Sequence, residues 1–500
     1  MPNTDPAAAE SVRIETDSLG ELDIPADAYW GIHTSRALDN FPIAKRPVSV
    51  YPDLVVALAS VKQAAARANA EIGVLDAEKA ELIDRACQMV IDGEHHDQFV
   101  VGVIQGGAGT STNMNANEVI ANIALELSGH TKGDYQFMHP IEDVNHSQST
   151  NDVYPTSIKI ALSFSLQHLL TELWALKESF AAKAAEFAHV LKVGRTQLQD
   201  AVPMTLGQEF HGYATTLTED HARLKETIWL LSEINMGATA IGTGLNADPG
   251  YAAAVRRHLR GITGLDLETA PDLVEATSDA GAFMSFSGAL KRSAIKLSKI
   301  CNDLRLLSSG PQAGFGEINL PARAAGSSIM PGKVNPIIPE VVNQVAFSVA
   351  GSDVTVTMAA EAGQLQLNAF EPVIAHSLLQ SITWMTQAFR TLRVNCVDGI
   401  TANEKRLDAM VASSVGVITA LMPYIGYAPA ATLAKSALLN GSNVADLVVD
   451  AGLMSRERVT QLLSPARLSG LEAVTTSTSK IDVEAAIQAV SEPAADHVDD

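Results

Sequence analysis

From Pro155 onward the chain carries a single apolar face much longer than an ordinary globular helix needs. Ile158, Leu162, Leu166, Leu169, Leu173, Leu176, Phe180, Ala184 and Phe187 recur at steps of three and four, which is the period of an α-helix. A helix of about 35 residues is roughly 50 Å long at 1.5 Å per residue. Comparable stretches cover 205–234, 276–307, 339–362 and 370–395. Five such helices predict a mainly α fold with a long central bundle over 151–400. Their apolar stripes need more partners than one another, so self-association is expected. Hydrophobic content of 47% with only 5% aromatic residues suits Ala/Leu/Val packing between helices and argues against a β sandwich.

A chain of 500 residues exceeds one core and divides into two or three domains. Residues 1–150 read as a mostly helical N-terminal domain, with turns and a short hairpin over 13–40 and helices over 54–70 and 77–91. Residues 401–470 read as a small helical domain, and 471–500 as a weakly ordered acidic tail with a short helix around 483–490. The uncharged span 410–434 is interrupted by Pro423, Gly426 and Pro429, so it predicts two short helices about a turn, not a membrane span. Residues 1–11 lack a basic region followed by an apolar core, and no secretory signal is expected. Cys87, Cys301 and Cys396 are widely spaced and odd in number, as reduced thiols in the cytoplasm would be. A net charge of −22 excludes nucleic acid as a partner, because phosphate affinity needs clustered Lys/Arg.

Chemistry-bearing side chains gather in loops at helix ends. Residues 326–336, Gly-Ser-Ser-Ile-Met-Pro-Gly-Lys-Val-Asn-Pro, hold two glycines and two prolines and must be a loop. Adjacent hydroxyls and a lysine on a flexible loop beside a rigid helix suit an active-site lid. Residues 105–115, Gln-Gly-Gly-Ala-Gly-Thr-Ser-Thr-Asn-Met-Asn, run into a helix starting near Asn117. No lysine follows the last glycine and no βαβ pattern surrounds it, so a nucleotide loop is a poor fit, whereas a carboxylate at a helix N-terminus is not. Ser147-Gln148-Ser149-Thr150-Asn151-Asp152 before Pro155 holds more polar groups than one helix cap uses. Residues 194–205 form a third polar loop, and 237–246 a glycine-rich connector whose spacing misses the dinucleotide fingerprint. His95 and His96 are adjacent with no spaced partner, which reads as a polar loop and not a metal site. Hydroxyls and amides with one lysine are an inventory for binding two carboxylates.

These four motifs, together with residues 24–31, resemble the aspartase/fumarase superfamily over roughly 13–470. Residues 194–205, 337–344 and 363–368 are similar to its aspartase branch, since fumarases usually carry His where Gln197 stands. Gly332 is the one departure, being more frequent in the fumarase form of the loop. The resemblance implies a three-domain helical lyase, assembled as a homotetramer in which three subunits share each active site. It implies elimination of ammonia from a dicarboxylate to give fumarate. Ser327 would be the general base, and Ser149, Thr150 and Ser328 would hold the β-carboxylate. Lys333, Asn335 and Thr196 would hold the α-carboxylate, and Thr110, Asn151 and Gln197 the leaving ammonium. No organic cofactor is implied. Divalent cations activate aspartases, but no ligand set in this sequence places an ion. Two alternatives stay open: a fumarate hydratase, and a catalytically silent helical homologue.

Overall fold

The computed structural model describes residues 11–330 and 332–470; the acidic tail and its short helix at 483–490 lie outside them. The chain is mainly helical. Its long helices are Thr150–Glu186, Leu206–Glu226, Gly281–Leu307, Ile337–Glu361 and Glu371–Asn395. Ile158, Leu162, Leu166, Leu169, Leu173, Leu176 and Phe180 are all buried, so the apolar face read from the sequence is the packed face. Phe180 meets Phe210 and Tyr213 at ring separations of 5.9 and 5.6 Å. Ser287 donates to Asp353 at 2.8 Å, and Asn343 donates to Ser298 Oγ at 2.8 Å. Among the described residues the strands form two-stranded pairs only.

Several boundaries differ from the periodicity reading. The fourth major helix begins at Thr110 and not near Asn117, because Gly109 turns the backbone into it with a left-handed φ of 90°. The longest helix begins at Thr150, so Pro155 lies inside it. The span 205–234 breaks after Glu226 and resumes as Ile228–Ser232. The span 276–307 starts with a separate turn, Leu273–Ser278, and the chain re-enters helix at Gly281, whose N–H donates to Asp279 at 2.8 Å. Residues 194–205 are not a loop but most of an antiparallel hairpin, Leu191–Thr196 with Gln199–Thr205.

The chain clusters into two compact units. The first comprises Met1–Glu172, Asp220–Lys296 and Gln344–Ala388. It holds the N-terminal hairpin Val12–Asp17 with Gly20–Pro25 and the helices Ile32–Asn40, Pro52–Glu71, Ala77–Ile91 and Thr110–Leu127. Buried Glu118 accepts from the N–H groups of Gly31 and His33 at 2.8 Å each and of Thr34 at 3.2 Å, fixing one helix start against another helix. Burial raises its carboxyl to about 7, against those hydrogen bonds.

The second unit comprises Leu173–Glu219, Leu297–Asn343 and Phe389–Asp500. Its C-terminal helices close a separate core around Val411, Val417, Leu421, Ile425, Leu433, Val448 and Val459. The uncharged span forms short helices about Gly426, Ile418–Ile425 and Tyr427–Asn440, with Pro423 tolerated inside the first. Among the described residues no single helix is long and apolar enough to cross a membrane. The bent pair Glu404–Ser413 and Val415–Ile425 passes by length and composition alone, and its Val411, Val417, Ile418, Leu421 and Ile425 belong to the core just named.

Candidate active site

In the first unit three polar segments converge. Thr110 opens its helix behind Gly107, Ala108 and Gly109, all left-handed. At Gly109 a Cβ would lie 2.3 Å from the Tyr154 ring, so glycine is obligatory there. Gln105 Oε1 accepts from both N and Oγ1 of Thr112 at 3.1 Å, fastening this loop to the first helical turn. Thr110 Oγ1 donates to Gly107 O at 2.7 Å and stays exposed.

The second segment is built as a reciprocal cap. Ser149 Oγ accepts from Asn151 N at 3.2 Å, and Asp152 Oδ1 accepts from Ser149 N at 2.9 Å. The other Asp152 oxygen accepts from Gly237 N at 3.2 Å and Thr239 N at 3.0 Å. Asn151 Nδ2 donates to Ala240 O at 2.7 Å, which ties the glycine-rich connector, the third segment, to the same place. Lys62 is fully buried, and its Nζ donates to Asn145 Oδ1 at 2.8 Å and Gln148 Oε1 at 2.9 Å. Asn113 Nδ2 donates to Asn145 Oδ1 and Thr150 Oγ1, both at 3.1 Å. Burial pushes the Lys62 ammonium down to about 7, partly offset by the Asp152 charge. Burial pushes the Asp152 carboxyl up to about 6, against the backbone donors it accepts and the Lys62 charge.

In the second unit the hairpin presents Thr196 and Gln197 at its exposed tip. The two-residue turn is Gln197–Leu198, with φ of 55° and 62°. The loop 326–336 is pinched at its neck, where Gly326 N donates to Lys333 O at 2.9 Å and Asn335 Nδ2 to Gly326 O at 2.6 Å. A Cβ on Gly326 would fall 2.1 Å from that lysine carbonyl. Inside the loop Ser327 Oγ accepts from Ile329 N at 3.1 Å and Met330 N at 2.9 Å. Ser328 and Lys333 are exposed. Lys333 and Asn335 line a cavity of about 570 Å³ with Arg305, Ser308, Ser309 and Asn319.

Of the residues singled out from the sequence, Thr110, Ser149, Thr150 and Asn151 therefore share one region of the first unit. Thr196 and Gln197, and Ser327, Ser328, Lys333 and Asn335, occupy two places in the second. Sequence reasoning missed Lys62, Asn113 and Asn145, and saw Asp152 only as a cap. Lys62 carried a signal, a lone charge within the apolar run 57–66. Of the adjacent histidines, His95 packs on Tyr29 at 4.3 Å and His96 Nε2 lies 2.8 Å from Val90 O. Among the described residues no three His, Cys, Asp or Glu side chains come together to hold a metal ion.

Two family models match the chain, one described as lyase over residues 20–351 and one as fumarase C C-terminus over 417–470. The aspartate ammonia-lyase of Pseudomonas fluorescens is 59% identical over 92% of this chain and 97% of its own length. A Brucella melitensis protein described as fumarate lyase:delta crystallin, solved bound to cobalt, matches with a TM-score of 0.90 and 55% identity over 92% of this chain and 100% of its own. The class II fumarase of Schistosoma mansoni matches with a TM-score of 0.87 and 32% identity over 93% of this chain and 100% of its own.

Proposed function

The chain belongs to the aspartase/fumarase superfamily of lyases, and from that premise we propose that it is an aspartate ammonia-lyase, a carbon–nitrogen lyase that eliminates ammonia from L-aspartate to give fumarate. Removing a proton beside a carboxylate is hard because the resulting dianion is high in energy, so donors aimed at that carboxylate lower the barrier. Ser149, Thr150 and Ser328 take this role. Ser327 accepts the β-carbon proton, the electron pair left behind forms the double bond, and the C–N bond breaks to release ammonia. Thr196, Lys333 and Asn335 hold the α-carboxylate; Thr110, Asn151 and Gln197 hold the departing ammonium.

One observation carries this reading. A serine hydroxyl is a weak base unless its ionised form is stabilised, and Ser327 Oγ already accepts from two backbone N–H groups, at 3.1 and 2.9 Å. Donors to the charged form favour it. Several of the assigned groups are already engaged in this conformation: Thr110 donates to Gly107 O, Ser149 and Thr150 accept from Asn151 N and Asn113, Asn335 holds the loop neck and Asn151 the connector. Asn151 spends only its Nδ2 on the connector, which leaves Oδ1 to accept from the ammonium.

Gln197 favours aspartate over malate. Expelling hydroxide from malate calls for a nearby acid, and histidine suits that task. Ammonium leaves already protonated, so a neutral amide that orients it suffices. The test is kcat/KM for L-aspartate and L-malate under identical conditions, following fumarate. Aspartate is expected to be strongly preferred; a preference for malate would change the reaction assigned while leaving the family intact.

The same reading extends to a cytoplasmic homotetramer with shared sites, organised as 1–150, 151–400 and 401–470. The support for self-association is an exposed apolar stripe on the helix Ile337–Glu361, where Phe347, Val354 and Met358 are 64, 58 and 67% exposed. An active monomer in sedimentation would overturn it. Activation by a divalent cation belongs to the proposal too. No ligand cluster fits one among the described residues, so no step is routed through a metal.

A further inference from the structure

Both strands of the hairpin that carries Thr196 and Gln197 are polar at the tip, yet its base holds a buried charge cluster that the mechanism above does not use. Glu317 is fully buried, and its carboxylate is gripped from one strand of the hairpin by two cations. Lys192 Nζ lies 2.9 Å from one oxygen, and Arg195 Nη1 bonds the other. Lys192, itself 2% exposed, also reaches Glu209 at 2.6 Å. Two cations thus face two carboxylates, and the cluster is neutral.

Residues three apart on a regular strand point to opposite faces. Lys192 and Arg195 meet one carboxylate because the register shifts between Val193 and Arg195, and a bulge of this kind re-aims the side chain that follows it. Glu317 is equally fixed on its own side. Its N–H donates to Leu307 O and its carbonyl accepts from Asn403 N, both at 2.9 Å. The Arg195 guanidinium stacks 4.2 Å over the Phe315 ring, one more anchor to the same segment. From Glu317 the chain runs on through Ile318–Asn319 to the loop that carries Ser327.

We propose that Glu317 is a positioning residue for the reaction: acting through Arg195, it sets the place of Thr196 and Gln197 relative to the segment that leads into the Ser327 loop. The bulge and the carboxylate make one device. The bulge turns Arg195 inward, the carboxylate holds it, and the next two residues are presented outward at a fixed height. The reading of Thr196 and Gln197 as substrate contacts underlies this, and the experiment separates the two.

Glu317→Gln keeps the shape and removes the charge, and Arg195→Gln removes the other partner. Each is expected to raise KM for aspartate at least roughly tenfold with kcat within about threefold, the pattern of lost ground-state and transition-state binding alike. The double variant is expected to match the single ones, because residues acting as a pair are not additive. A purely structural carboxylate would lower Tm and leave KM alone. Unchanged KM in both single variants, or additive effects in the double, would overturn the proposal. If Glu317→Gln fails to fold, Arg195→Gln alone decides: a rise in KM of at least roughly tenfold with kcat held supports the clamp, and an unchanged KM overturns it. Should the wild type convert malate and not aspartate, the substrate assignment falls, and the same comparison of KM run on malate still tests the clamp.

Discussion

Two pairs of adjacent hydroxyls assigned to the reaction, Ser149–Thr150 and Ser327–Ser328, are held in opposite ways. Ser149 and Thr150 sit in a network that reaches across the first unit, from Lys62 through Asn145 and Asn113 to Asp152 and the 237–240 backbone. Ser327 and Ser328 belong to a loop whose observed hydrogen bonds close within itself and whose Ile329 and Val334 are 87 and 50% exposed. In the first place the fold sets the geometry, so binding groups are pre-organised and removing a support removes stability. In the second, local bonds set it, so the reacting group can be changed at little cost to the fold. Similar side-chain chemistry serves two tasks because its supports differ.

The sharpest way to break that contrast is Ser327→Ala. It is expected to lower kcat by about 10²–10⁴-fold, the worth of a positioned base, with thermal unfolding unchanged; a large fall in Tm would mean that the loop is part of the core. Asp152→Ala is the mirror experiment. It removes a cap and leaves three backbone N–H groups without their acceptor, so a loss of about 2–4 kcal/mol in denaturant unfolding is expected. A variant as stable as the wild type would show that the network does not hold this segment. The smallest effect concerns pH. Lys62 has its folded pKa depressed by burial to about 7 from the ordinary 10.5, so between these values the unfolded chain binds the extra proton. The stability it contributes is present above the unfolded pKa and is lost as pH falls through about 7. Lys62→Met is expected to flatten the rise in Tm between pH 7 and 10; an unchanged slope would assign that rise to other groups.

What was legible in the sequence follows from the range of the forces involved. Helix faces such as Ile158 to Phe180 were readable because burial repeats with the helix period. Helix starts were not, because the residues that set them are engaged from afar: Asp152 is fixed by Gly237 and Thr239, and Gly109 by the ring of Tyr154. The hairpin was hidden because its bulge at Val193–Arg195 breaks strand alternation and Pro203 lies within its second strand. The polar loops were recognisable as motifs, but of the buried groups beneath them only Lys62 left a trace, as a lone charge in an apolar run, whereas Glu317 looks like any surface charge until the chain is folded.

The turn at Gln197–Leu198 has a practical corollary. Two consecutive left-handed residues are the geometry that Asn-Gly adopts without strain, whereas side chains like these resist it by on the order of 1 kcal/mol each. Leu198 is 64% exposed and makes no hydrogen bond with its side chain. The tip of the hairpin is therefore a place where a protein engineer can recover heat tolerance: glycine at position 198 relaxes the backbone while Gln197 keeps its amide. A catalyst hardened there gains shelf life from a turn residue to which no substrate contact is assigned.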